Sequence, residues 1–549
     1  MPQIPRVGAA DAAPDVARHL HGRPLILLSN REPYEHDRRD GAVVVRRPAG
    51  GLVSALDPTM RRTHGVWIAW GSGAADHETA DEEGRLAVPP EEPAYTLRRV
   101  WLDEADVAGY YSGFANSALW PLCHMLIQHF EFRSEHWDRY QSVNARFAAA
   151  AAEEARRGEG RPVVWVQDYH FALVPHLLRN EFAPRAERAA TPFIHQFWHI
   201  PFPPPDILRL LPHGVYPAIL EGILGNDLIE FHTERYALNF LNCVADAVCG
   251  AEVDLASRRV HLEGRTVEVG VYPISIDVAA YEAMARSRSG ERQANELRAR
   301  HARPSPDGGD CQLGVSVDRV DYTKGIPERL RALDFLWTNA PELRGRLTFI
   351  FVAIPSRSEL EPYRALAEEV AASVESINER FGTDEWTPII FVNESMDAER
   401  LAGVYRAADL CLVSSLQDGM NLVAKEFIAC QVDERGVLVL SRFAGAAEEI
   451  EGAVLINPFN VDGFAAGIRT ALEMPPEERR RRMHAMRAQL RDATIFGWLD
   501  DILSRVAELM DARDAAPERL EGDAGGASAA GALPHAAAPP PPSAAAPAP

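Results

Sequence analysis

Long hydrophobic runs are missing: nowhere do about eighteen apolar residues follow one another, the length a helix needs to cross a bilayer. The start of the chain also lacks a basic stretch leading into an apolar one, so neither secretion nor a membrane span is expected. Cysteine is scarce. Cys123, Cys243, Cys249, Cys311, Cys411 and Cys430 are scattered through 549 residues without a CxxC pair, and Cys411 sits inside an apolar run. That usage fits reduced core thiols in a cytoplasmic protein and argues against a disulfide framework. Positive charge is in deficit as well, with 57 Lys and Arg against 79 Asp and Glu and a formal net charge of -22. A general binder of nucleic acid or of anionic membranes is therefore not expected, and a phosphorylated substrate would need cations gathered locally. No internal repeat and no acidic pair of the kind Mg²⁺ requires is evident, so no metal and no other cofactor is expected. Homo-oligomerisation stays open.

What is present is an ordinary globular balance, 46% hydrophobic and 25% charged, in a chain long enough for two or three domains of roughly 100 to 200 residues. Residues 1–22 are rich in Ala, Pro and charge and read as a mobile leader, and residues 514–549 drift into an Ala/Pro-rich tail that cannot build a core. Between them short apolar, β-branched runs alternate with helical patterns. The first set of strands is expected at 25–28, 163–166, 193–197 and 228–231, and the second at 313–317, 347–352, 389–392, 411–413 and 437–440. This alternation predicts an α/β chain with two Rossmann-like, doubly wound domains, one over 23–273 and one over 274–492, and a helix over 493–513 returning to the first. In open sheets of this kind ligands bind past the carboxyl ends of the strands, so chemistry is sought immediately after each run.

After the first strand come Ser29-Asn30-Arg31 and, beyond a charged segment, Gly50-Gly51. Arg31 could grip a phosphate with two parallel hydrogen bonds, and the paired glycines allow a tight loop to approach a ligand, although a plain turn reads the same way. Asp168 follows the second strand and His199 the third. Asp168 could equally cap a helix, and a Zn site is not expected because His195 and His199 share no helical face. Arg319 and Lys324, closing at Gly325, could clamp a diphosphate or lie on a solvated loop. Ser356 and Glu359 suit a capping box for the next helix and leave Arg357 unassigned. The densest stretch is Asp418-Gly419-Met420-Asn421-Leu422-Val423-Ala424-Lys425-Glu426, where a buried strand breaks at Asp-Gly and restarts as a helix. Free N–H groups at such a helix start suit a phosphate, with Asp418 and Glu426 as acceptors for sugar hydroxyls; a Gly-containing turn with a solvated acid fits the local pattern equally well.

In order, Ser29-Asn30-Arg31, Gly50-Gly51, Tyr110-Tyr111 with Leu119-Trp120-Pro121, Asp168-Tyr169-His170, His199-Ile200-Pro201-Phe202-Pro203, residues 319–325 and residues 418–426 resemble the trehalose-6-phosphate synthases. These are retaining glycosyltransferases of the GT-B fold, and the likeness runs from about Arg23 to about Leu509. The resemblance implies glucose transfer from a nucleotide-glucose, UDP-glucose foremost, to glucose 6-phosphate. On the donor side it implies Gly50, Gly51, His199, Arg319, Lys324, Asp418, Gly419, Met420, Asn421, Leu422 and Glu426. On the acceptor side it implies Arg31, Trp70 in preference to Trp67, Tyr111, Trp120, Asp168 and Arg357. Asp168, His199, Arg319 and Lys324 would carry the catalysis.

Departures from the family pattern are a longer segment between Arg31 and Gly50, with a charged hairpin tip over residues 35–41, Gln417 where Arg is usual, and His232 where Gln is usual. Other readings of the same scaffold are a transferase to glycerol 3-phosphate, for which Arg31-Glu32-Pro33-Tyr34 has some likeness, a non-catalytic sugar-phosphate sensor, and a nucleotide-sugar epimerase.

Overall fold

The computed structural model describes residues 16–47, 51–158, 160–183, 190–302 and 311–515. The described residues up to Ala507 make one compact unit, and those from Glu508 a second that holds the closing turns of the last helix, Ile495–Ala515.

Among the described residues eighteen strands follow in chain order: β1 Leu25–Arg31, β2 Glu35–Arg39, β3 Ala42–Arg46, β4 Val66–Trp70, β5 Arg85–Val88, β6 Tyr95–Val100, β7 Val163–Gln167, β8 Phe193–Phe197, β9 Leu228–Phe231, β10 Glu252–Asp254, β11 Arg259–Leu262, β12 Arg265–Val271, β13 Gln312–Arg319, β14 Leu347–Ile354, β15 Ile389–Val392, β16 Leu410–Val413, β17 Val437–Ser441 and β18 Val454–Ile456. β2 and β3 pair alone as the expected charged hairpin, turning at Asp40 and Gly41.

The remaining strands form two sheets, of ten and six strands. In the first, the parallel core reads β6-β4-β1-β7-β8-β9-β12 across the sheet, with β5 and the β10/β11 pair added antiparallel at its edges. The chain thus winds outward from β1 in one direction, then returns to β7 and winds outward in the other. The second sheet is wholly parallel and does the same from β13, in the order β15-β14-β13-β16-β17-β18. Each sheet therefore has one place where neighbouring strands send their helices to opposite faces, between β1 and β7 and between β13 and β16. At such a switch point the loops splay apart and leave a crevice.

The strands expected from β-branched runs are all present, lengthened by a residue or more at several ends. Five residues of Val16–Leu20, read as leader, instead form a short 3-10 turn that buries Val16 and Leu20; residues 1–15 and the tail from 516 lie outside the described residues. The last helix carries Trp498 and Arg505. Trp498 donates its indole N–H to the Tyr272 carbonyl at 3.1 Å, its ring lies 5.8 Å from Trp165 and 5.1 Å from Phe197, and Arg505 pairs with Glu268 at 2.6 Å.

Under the second switch point lies a fully buried guanidinium. Arg329, on the helix Ile326–Asn339, donates to Ser316 Oγ at 2.7 Å, to Asp318 Oδ2 at 2.6 Å and to Ser414 Oγ at 3.0 Å, tying β13 to the end of β16. Removing one member of such a buried pair leaves an uncompensated charge. Arg329→Ala should therefore cost about 3 to 5 kcal/mol of unfolding free energy in chemical denaturation, whereas truncating the exposed Arg331 should cost under about 1 kcal/mol.

Candidate active site

On the first-sheet side Ser29 and Asn30 serve structure, and Arg31 is left on the surface of the crevice. Ser29 donates to the Arg31 carbonyl at 2.6 Å and accepts the Trp67 indole N–H at 2.8 Å, and buried Tyr110 donates to Asn30 Oδ1 at 2.9 Å. Register pairs Arg31 with Trp70 on β4, whose ring lies 6.2 Å from that of Tyr111. Trp67 is fully buried, so of the two tryptophans Trp70 is the one that lines the crevice. The Tyr111 hydroxyl lies within hydrogen-bonding reach of Arg31 and Arg357; burial alone would raise its pKa, and the two guanidinium groups, Arg357 first, outweigh that and lower it.

Tyr111 and Trp120 are nine residues apart, which at 3.6 residues per turn would put them half a turn out of phase. The segment Val107–Leu119 is instead a wide π-helix, and its i→i+5 pattern is echoed by Asn116 Nδ2 donating to the Tyr111 carbonyl at 2.8 Å and Ser117 Oγ to that of Ser112 at 2.8 Å. Above four residues per turn, positions nine apart return to one side. The indole of Trp120 accordingly faces the same crevice, with the guanidinium of Arg357 4.3 Å and that of Arg319 5.9 Å from its centroid.

Asp168 follows β7 with φ 71° and ψ 177°, a backbone region that favours glycine. It does not serve as a helix cap through its side chain; Oδ1 accepts the backbone N–H of His199 at 3.2 Å instead, joining the ends of β7 and β8. Burial pushes its carboxyl up to about 7, against the pull of the Tyr169 and His199 N–H groups and of Arg357 and Arg319. His199 stacks on Phe197 at 4.4 Å, and its Nε2 lies 2.9 Å from Gln167 Oε1. Burial, then His232, holds its pKa well below the usual histidine range, so the ring is neutral at pH 7. His195 is a core residue beside Glu230 at 3.3 Å.

On the second-sheet side the segment after β13 gathers cations around one buried carboxylate. Asp321 accepts from Arg357 at 3.2 Å and from the Thr323 hydroxyl and N–H at 2.9 and 3.0 Å. Burial would raise its pKa, but Arg357, Arg319 and Lys324 together lower it. Lys324 donates to Asp418 Oδ2 at 2.6 Å, and Ser415 Oγ and Asn421 Nδ2 donate to the same oxygen at 2.9 and 3.1 Å. These contacts outweigh burial and hold Asp418 at about 2. The expected capping box at Ser356 and Glu359 is not formed. Arg357 turns into the left-handed region at φ 48°, and the helix begins only at Glu361. That delay sends the Arg357 side chain back to Asp321 and to Tyr363, whose hydroxyl accepts at 2.6 Å.

Residues 418–426 open the helix Leu422–Cys430 as expected. Asn421, at φ 83°, caps it by accepting the Ala424 N–H at 3.2 Å, which leaves the earlier first-turn N–H groups without partners within the helix. Met420 is buried. At Gly419 a Cβ would stand 2.1 Å from the His199 carbonyl oxygen, so this glycine lets the second-sheet loop rest directly on the first-sheet loop. Tyr236 adds a second link, donating to the Asp418 carbonyl at 2.8 Å and accepting from Gln417 Nε2 at 3.0 Å. Glu426, half-buried, accepts from the Tyr281 and Tyr405 hydroxyls, each at 3.0 Å.

The structure thus brings Arg31, Trp70, Tyr111, Trp120, Asp168, His199, Arg319, Lys324, Arg357 and the 418–426 segment around the two switch points. Gly50 lies outside the described residues, and Gly51 opens the helix Gly51–Thr63. Asp321, Tyr363, Gln167, Tyr281 and Tyr405 were missed by sequence reasoning; only Asp321, inside the Arg319 to Gly325 motif, carried a signal. Among the described residues no group of three or more His, Cys, Asp or Glu is placed to hold a metal ion.

The family model described as Glycosyltransferase family 20 matches residues 23–508. A trehalose-6-phosphate synthase of Mycolicibacterium vanbaalenii is 40% identical over 494 residues, which cover 88% of this chain and 96% of that protein. Among solved structures, the trehalose-6-phosphate synthase of E. coli bound with UDP-2-fluoro glucose superposes with a TM-score of 0.75 at 30% identity, covering 88% of this chain and 99% of that one. The UDP-forming α,α-trehalose-phosphate synthase of Burkholderia xenovorans in complex with glucose 6-phosphate gives 0.74 at 30% identity, covering 88% and 100%.

The raised carboxyl of Asp168 has a measurable sign. An unfolded aspartic acid loses its proton near about 3.9, so the stability tied to this group is fully present below that pH and is lost as pH rises through about 7. Asp168→Asn cannot ionise. The melting temperature of the variant minus that of the parent, both without substrate, should therefore grow between about pH 4.5 and 7.5; a flat difference would contradict the shift.

Proposed function

The chain belongs to glycosyltransferase family 20, and we propose that it moves glucose from UDP-glucose to glucose 6-phosphate, releasing UDP and forming α,α-trehalose 6-phosphate. The fold is GT-B, two Rossmann-like sheets with a crevice between their strand ends. The observation that carries this reading is the pair of guanidinium groups at one indole: Arg357 and Arg319 lie 4.3 and 5.9 Å from the Trp120 centroid, so cations suited to two separate phosphates are gathered about one ring.

We assign the acceptor phosphate to Arg31 and Arg357, with the Tyr111 hydroxyl between them, Trp70 and Trp120 as walls, and Asp168 accepting from a sugar hydroxyl. The donor diphosphate is assigned to Arg319, Lys324 and the first-turn N–H groups of Leu422–Cys430. In this assignment Asp418 takes glucose hydroxyls, His199 contacts the transferred glucose as a neutral ring, and Glu426 takes the two ribose hydroxyls. The domain limits that suit these roles are 23–273 for the acceptor side and 274–492 for the donor side, with residues 493–513 returning to the first.

Chemically, the bond between glucose C1 and the β-phosphate oxygen breaks, and its electron pair leaves with UDP. Fixed cations and helix N–H groups aimed at that oxygen stabilise the growing charge without having to reorganise. Lys324 has three donors, so it can add a phosphate oxygen while keeping Asp418. Asp418, held at about 2 by its donors, is a poor nucleophile and a firm hydroxyl acceptor. The acceptor hydroxyl attacks from the face the phosphate leaves, and its proton passes to the departing phosphate; this retains the anomeric configuration without a second carboxylate placed as nucleophile. The chain's own cations are proposed to do this work with no added metal, in a cytoplasmic setting.

Purified protein given UDP-glucose and glucose 6-phosphate, without added metal, should release UDP and form trehalose 6-phosphate, detected by mass spectrometry; absence of product with UDP-, ADP- and GDP-glucose alike would refute the reading. Glycerol 3-phosphate should be a poor acceptor in the same assay. Arg357→Ala should raise KM for glucose 6-phosphate by about 10- to 100-fold, the loss of a charge-assisted contact of roughly 1.5 to 3 kcal/mol, and change KM for UDP-glucose far less.

A further inference from the structure

The carboxylate of Glu426 is held from outside its own helix. Tyr281, on the helix Val278–Arg286, donates to Oε1 at 3.0 Å, and Tyr405, on the helix Ala398–Ala407, donates to Oε2 at 3.0 Å. Each oxygen therefore has one in-plane acceptor position filled and one left over. Two remaining positions on neighbouring oxygens match a vicinal diol, which presents two hydroxyl donors at a similar spacing. We propose that Tyr281 and Tyr405 are positioning residues that fix Glu426 as a two-oxygen acceptor for the 2′- and 3′-hydroxyls of the donor ribose, and so make this enzyme discriminate against deoxyribose donors. The proposal rests on the assignment of Glu426 to the ribose.

Three features support it. First, the two hydroxyls keep the protons they donate to the carboxylate: burial, then the charge of Glu426, raises both tyrosine pKa values, so neither ionises near neutrality. Second, burial raises the Glu426 pKa, and the same two hydrogen bonds oppose that rise. A protonated carboxyl would become a donor at one oxygen and lose half of its capacity for a diol. Third, the supports are rigid. Tyr405 is fully buried and packs edge-on against Phe427 at 6.4 Å, and Gln431 Nε2 binds the Ala408 carbonyl at 3.0 Å at the end of the Tyr405 helix. Without the two donors the Glu426 carboxylate would be free to rotate about its last bond, and neither oxygen would be held toward the crevice.

Tyr281→Phe, Tyr405→Phe and the double variant remove the hydroxyls and keep the rings. Steady-state kinetics with UDP-glucose and with 2′-deoxy-UDP-glucose, at saturating glucose 6-phosphate, separate the cases. In the double variant KM for UDP-glucose should rise about tenfold with kcat within about twofold, while KM for the deoxy donor rises by about threefold or less, so that discrimination between the donors shrinks. Glu426→Gln, run in parallel, reports on the underlying assignment and should remove most of the discrimination. An unchanged KM in the tyrosine variants, or an equal rise for both donors, alongside a Glu426→Gln variant that has lost discrimination, overturns the proposal and leaves the ribose assignment standing. A Glu426→Gln variant with undiminished discrimination overturns both. Tyr281, half-buried at the rim, supplies the test through its single variant if loss of the Tyr405 hydroxyl unfolds the protein.

Discussion

A buried carboxylate, Asp321, balances the charge of the crevice. A chain with a net charge of -22 has to gather cations against its own composition, and Arg319, Lys324 and Arg357 would repel one another if left to bulk solvent screening alone. Asp321 lies beneath all three, ionised despite full burial because they surround it, and the Thr323 hydroxyl and N–H fix its position. The same group thus serves the part of the crevice assigned to the diphosphate and the part assigned to the sugar phosphate. Directly below, the Arg329–Asp318 pair repeats the arrangement with the signs reversed, a buried cation held by a carboxylate and hydroxyls. Both layers sit where β13 parts from β16, which is where the backbone leaves room for them.

Chain topology explains why two sets of residues so far apart in sequence meet. Each sheet begins in its middle and winds outward twice, so the loops after its first and fourth core strands diverge. Arg31 and Asp168 end the two strands at one divergence, and Arg319 and the 418–426 segment stand at the other. The contact between Gly419 and the His199 carbonyl joins them.

Much of this was legible in sequence, because buried parallel strands are written as β-branched runs and the candidate site residues stand just beyond them. What escaped was pairing at a distance. β4 and β6 were not anticipated; β6 carries Arg99, which is buried against Glu32 at 2.7 Å, a partner 67 positions away. The same burial removes Glu32 from the crevice, so its place beside Arg31 is structural. Tyr281 and Tyr405 lie 145 and 21 residues from Glu426, on helices with no motif of their own. Arg357 had no role on its local pattern and an acceptor-side one only through the family resemblance, and its placement depends on a left-handed turn that replaced the expected helix cap.

The π-helix over Val107–Leu119 has a bearing on how this family member can vary. Tyr111 and Trp120 share a face only at its wider pitch, so the shape of the candidate site's wall depends on that pitch. Were the segment to relax to ordinary helical pitch at its present length, it would keep every side chain of the wall and still swing Trp120 half a turn from Tyr111 and away from the two guanidinium groups near its ring. In this stretch pitch is under the same constraint as identity, and a turn rewound to ordinary pitch would weigh as much as a lost tryptophan.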